Sequence, residues 1–200
     1  ALVKDQYANW LDRHKDVKNP PTVNDLYKTI QELGANLPSD ELGAVKKEID
    51  ARLAAKSGGP LLYNSQAFSV MDSIQEKRVQ NYSGTLLLFL TLREAWGRDK
   101  FQNSGMVAIY ESGHVLPGYV VKVKGVWHLV GVETTVSGTG RVLYGPLNEA
   151  VKTRMLRIVD ADLYSILELF KFEADNVVDL ANEAMQVTAA KYQIVDPPYL

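Results

Sequence analysis

The chain has 200 residues, of which 46% are apolar and 23% charged, a balance that suits one globular domain or one domain with a helical extension. The formal net charge of −2 and the lack of any long basic block argue against a nucleic-acid surface. No cysteine is present, which excludes disulfides, thiolate metal sites and a thiol nucleophile.

The first 57 residues read as helices. Val3, Tyr7, Trp10 and Leu11 fall at helical spacing over residues 3–16, and Asn19-Pro20-Pro21 stops that element. Thr22 is placed to cap a second helix ending at Gly34. Pro38-Ser39 opens a third, with Leu42, Val45, Ile49 and Leu53 on one face. Ser57-Gly58-Gly59-Pro60 then breaks the chain. We divide the sequence there into a helical extension (1–57), a core (60–150) and C-terminal helices packed on the core (151–200).

Within the core a helix is expected over 64–77. A second, over 84–96, holds Leu86, Leu87, Leu88, Phe89, Leu90 and Leu92 and is apolar nearly all round, as a buried helix must be. Its apolar run is far too short to span a bilayer, so no membrane insertion is expected. Strands are expected at 106–111, 114–123, 126–133 and 139–144, forming an antiparallel sheet beneath the buried helix. Helices at about 160–172 and 174–191 close the chain. The fold class is therefore α+β.

Lys124-Gly125 sits between two β-branched runs and reads as a two-residue hairpin turn. Residues facing each other across it have numbers summing to 249. His114 then opposes Thr135 and Glu133 opposes Leu116, so His114 and Glu133 become diagonal neighbours on one face. His128 points to the other face, among Val121, Val126 and Val130. A histidine beside a carboxylate is the base-and-orienter half of a nucleophilic triad. A solvated Glu133 with a loop His114 is the structural alternative. The three histidines lack zinc-binding spacing, so neither metal nor cofactor is expected.

The buried helix opens on Gln80-Asn81-Tyr82-Ser83-Gly84-Thr85. A helix N-terminus lowers a thiol's pKa and stabilises developing negative charge, which suits a nucleophile. Asn81 and Ser83 are also good caps, and capping alone accounts for both.

This segment, then Gly113-His114-Val115, then Trp127-His128-Leu129-Val130-Gly131-Val132-Glu133-Thr134-Thr135, resembles in order and spacing a bacterial transglutaminase-like family of the papain-type fold. The resemblance covers about residues 64–145. It implies that His114 matches the catalytic histidine and Glu133 the acidic third member, usually Asp. Asn81 matches the missing cysteine, with Tyr82 the alternative one residue on. Gln80, Tyr82 and Ser83 would line the cleft, and Trp127, which shares the predicted face of Glu133, would line it too. The implied function is a catalytically inactive domain that binds a peptide or protein segment. An active amide hydrolase or acyltransferase using Ser83, or a Cys-lacking variant of an active enzyme, is the second reading. An interaction module acting through residues 1–57 is the third. The family is bacterial, and the chain is expected in the cytoplasm or exported.

Overall fold

The computed structural model describes residues 2–16, 18–37, 42–57, 62–63, 70–76, 78–79, 81–132, 141–170, 177–195 and 197. Three helices come first: α1 (Leu2–Arg13), α2 (Val23–Gly34) and α3 (Leu42–Ser57). Thr22 caps α2 as its position suggested. Its hydroxyl accepts from the Asp25 amide at 3.1 Å, and the Thr22 amide donates back to the Asp25 carboxylate at 2.8 Å. At the other end of α2, Arg52 of α3 donates to the carbonyl oxygens of Leu33 (3.1 Å) and Ala35, closing groups that a helix C-terminus leaves open.

β1 (Leu62–Tyr63), α4 (Val70–Glu76) and β2 (Arg78–Val79) follow, with β1 and β2 forming a small parallel pair that the sequence did not suggest. The helix expected over 64–77 is thus realised only as α4 within the described residues. Next comes α5 (Asn81–Trp96), the expected buried helix, in which Leu86 to Leu90 and Leu92 are all shielded from solvent. Gly34 of α2 lies against it so closely that an added Cβ would stand 3.0 Å from Ala95 Cβ. The buried residues of α1, α2 and α3 form one apolar cluster with those of α5.

After the short α6 (Arg98–Gln102) the chain builds β3 (Met106–Glu111), β4 (His114–Val123), β5 (Val126–Val132) and β6 (Arg141–Pro146). Helix α7 (Leu147–Arg154), strand β7 (Arg157–Asp160), α8 (Ala161–Phe170) and α9 (Val177–Tyr192) complete it. The five-stranded sheet has the order β6-β5-β4-β3-β7 and is antiparallel throughout.

Lys124 and Gly125 both take left-handed backbone angles (φ 51° and 80°), the mirror-image turn that matches strand twist. The register follows the sum of 249 from Val123↔Val126 to Gly118↔Gly131. His128 faces Val121, as expected, and its Nδ1 lies 3.0 Å from the Val126 carbonyl. The continuation to Glu133 and Thr135 lies outside the described residues.

α7 and β7 were not anticipated either. α7 carries Leu147, Ala150 and Val151 at helical spacing but is only eight residues long. β7 has four residues and owes its strand form to pairing with β3. Asp160, its last residue, caps α8 by accepting from the Asp162 amide (3.2 Å) and pairs with Lys191 of α9 (2.8 Å).

The sheet has two covered faces. Met106, Ala108, Val115, Val132 and Val159 join the cluster around α5 and α8. Val107, Ile109, Leu116, Val120, Leu129 and Ile158 join a second cluster with α7 and the last turn of α9. We refer to these as the α5 face and the α7 face. On the α7 face Gly118 and Gly131 stand opposite one another, letting Ile109, Leu116 and Tyr144 pack directly over the strands.

Candidate functional site

Three of the residues singled out in the sequence converge on one end of the sheet. α5 begins at Asn81, and the Tyr82 ring lies 6.3 Å from that of Tyr110, near the end of β3. The β3–β4 turn follows directly, with Ser112 and Gly113 left-handed (φ 47° and 77°) and Glu111 paired to His114. Gln80 and Glu133 lie outside the described residues, as does the side chain of Asn81.

Alternation along β4 separates these residues by face. Val115 belongs to the α5 face. His114 precedes it, and shares its side of the sheet with Leu116 and with its partner Glu111, on the α7 face. The start of α5 and His114 are therefore at the same end of the sheet but on opposite sides of it.

What surrounds the start of α5 is aromatic. The Tyr164 hydroxyl donates to the Tyr82 carbonyl at 3.1 Å. The Tyr164 ring packs at a tilt against Tyr110 (6.1 Å) and meets Phe89 edge-on (5.6 Å). Glu168, one turn further along α8, is buried beside them. Burial, with the Glu168 charge adding to it, raises the pKa of Tyr82, Tyr110 and Tyr164. Ser83 is fully buried. Thr85 is equally buried, and its hydroxyl has no hydrogen-bond partner among the described residues.

On the α7 face, Glu111 is held by two groups. The Tyr144 hydroxyl donates to one carboxylate oxygen at 3.1 Å, and Arg154 donates to the other from Nε at 2.9 Å. The Arg154 guanidinium also lies 4.6 Å from the centre of the Tyr144 ring. Glu111 thus stands opposite His114 with much of its accepting capacity directed to Tyr144 and Arg154.

Trp127 belongs to neither group. It pairs with Lys122, whose ammonium lies 4.9 Å from the ring centre, and meets Tyr192 edge-on at 5.3 Å. His114 and Lys122 are separated by the length of β4, roughly 26 Å at the usual strand rise. Trp127 therefore does not line a cleft with the start of α5, contrary to the expectation from its face alone.

Glu111, Tyr110, Tyr144, Arg154, Tyr164 and Glu168 went unnoticed in the sequence. Glu111 was within reach: Ser112-Gly113 is itself a hairpin signal, and the parity argument used at Lys124-Gly125 sets Glu111 opposite His114. Tyr164 and Glu168 carry no comparable local signal.

Among the described residues no group of histidine and acidic side chains could hold a metal ion, and no helix is long and apolar enough to cross a membrane. No family model, curated protein or solved structure matches the chain.

Proposed function

We propose that this chain is a catalytically inactive transglutaminase-like domain that binds a peptide or protein segment at the start of α5. The observation that carries the inactive half is the placement of His114 across the sheet from that helix start, in a chain with no cysteine. An imidazole on the far side of a sheet has no path to a nucleophile at residue 81 or 83. Ser83 is a poor substitute in any case, because a fully buried hydroxyl offers a substrate no approach. The transglutaminase-like ancestry rests on the sequence motifs alone. The binding half is supported by Tyr82 and Tyr110, both partly exposed there: partly apolar rings with polar tips are common at peptide-binding surfaces.

The inactive half is tested with Asn81→Cys. The iodoacetamide rate at pH about 6.5, where an unperturbed thiol is mostly protonated, is compared with that of the double variant carrying His114→Ala. Equal rates are expected. A large His114-dependent acceleration would restore the triad geometry and overturn the reading. The binding half is tested by panning a random-peptide display library on the folded chain, with Tyr82→Ser as the counter-selection. Enriched peptides should bind the parent and not the variant, and the absence of any such class overturns the proposal.

A further inference from the structure

The start of α5 holds a buried acid as well as tyrosines. Glu168 lies one turn beyond Tyr164 on the same face of α8 and is 6% exposed. Its charge acts on the hydroxyls of Tyr82, Tyr110 and Tyr164 together. The three rings form a row, Tyr82 to Tyr110 at 6.3 Å and Tyr110 to Tyr164 at 6.1 Å, each pair tilted by nearly 60° (58° and 59°). Tyr164 is fully buried, whereas Tyr82 and Tyr110 are partly exposed. A segment arriving at this end of the sheet therefore meets two tyrosine rings, with a third ring and a carboxylate deeper in.

The electrostatics of that arrangement favour one sign of charge. The faces of aromatic rings are electron-rich and attract cations. Glu168 adds a full negative charge. The positive end of α5 opposes it, but a helix N-terminus is worth roughly half an elementary charge, so the balance stays negative. A buried charge is also screened less by salt than an exposed one. An acidic side chain would be repelled here, and an aliphatic one would gain nothing from the field. Of the two cationic side chains arginine fits better: its guanidinium is planar, stacks on tyrosine and is more weakly hydrated than an ammonium.

We propose that the segment bound at the start of α5 lays an arginine over the rings of Tyr82 and Tyr110, with Glu168 beneath them attracting it. Glu168 acts across the rings, because it is buried and they are what the surface presents. This inference rests on the binding role proposed above and names the side chain that the site selects.

The probe is the set of library peptides enriched on the parent chain and lost on Tyr82→Ser. Arginine, and less often lysine, should recur at one position in them. A fluorescein-labelled copy of the most enriched sequence is then titrated with the whole chain and followed by anisotropy. Replacing its arginine by citrulline, which keeps the shape and removes the charge, should weaken binding about tenfold or more. Lysine should fall between the two. Glu168→Gln, checked for folding by circular dichroism, should weaken the arginine peptide about fivefold and change the citrulline peptide by less than about twofold. The citrulline comparison needs only the parent chain, so it decides even where Glu168→Gln does not fold. A Tyr82-dependent class of peptides with no recurrent basic residue overturns the inference and leaves the binding role standing. So does citrulline binding as well as arginine, or an arginine preference that a folded Glu168→Gln protein keeps in full. No Tyr82-dependent peptide at all removes the binding role and this inference with it.

Discussion

Gly118→Ala is the substitution that most directly tests how the α7 face is built. An added Cβ at residue 118 would stand 2.4 Å from the Val130 carbonyl oxygen and 2.6 Å from Ile109 Cδ1. The first contact is with the backbone of a paired strand, which has no rotamer to change. Overpacking costs about 1–3 kcal/mol, and a backbone clash belongs at the upper end. Replacing glycine by alanine returns about 0.5–1 kcal/mol by restricting the unfolded chain, which leaves a net loss of about 2 kcal/mol. Gly131→Ala is the control. There the nearest atoms are two side-chain ends, Leu116 Cδ1 and Tyr144 Cε2, both at 2.9 Å. Both can turn aside, so the net loss should stay below about 1 kcal/mol. Urea unfolding followed by far-ultraviolet circular dichroism measures both, read as a change in midpoint at constant slope. Ile109→Val removes the second clash and should recover part of the Gly118→Ala loss in a double-mutant cycle. A Gly118→Ala protein within about 0.5 kcal/mol of the parent, or less damaged than Gly131→Ala, would refute the packing and the register that produces it.

Two further outcomes are expected near the start of α5. Tyr110 and Tyr164 have pKa values raised above the ordinary tyrosine value of 10.0, chiefly by burial, so the stability they contribute is complete below about pH 10 and is lost as pH rises beyond it. Alkaline unfolding monitored by tyrosinate absorbance should therefore begin near that pH, and Tyr110→Phe with Tyr164→Phe should move it higher; an unmoved transition would contradict the burial argument. Thr85→Val keeps the shape of a buried residue and removes a hydroxyl that has no partner among the described residues, so urea unfolding should show a gain of about 1 kcal/mol, and a clear loss would reveal a hydrogen bond there.

Much of the fold is local and was legible for that reason. Thr22 made a helix start visible because capping is settled within four residues, here by its exchange of hydrogen bonds with Asp25. The Lys124-Gly125 turn determined the β4–β5 register because a two-residue turn leaves the flanking strands no freedom to slip. The leucine-rich run declared a buried helix, since no exposed helix carries apolar residues all round. Strand alternation likewise showed that His114 and Leu116 share a side. Which side α5 covers is a different kind of question. A period of two says which residues lie together and nothing about what packs on them. That was decided by α7 and the end of α9 burying Leu116 while α5 and α8 buried Val115. The same applies to β7, whose four residues became a strand only against β3, and to Tyr164, whose hydroxyl reaches the carbonyl of a residue 82 positions earlier. Contacts that distant in the chain leave no local periodicity, so only the assembled core selects them.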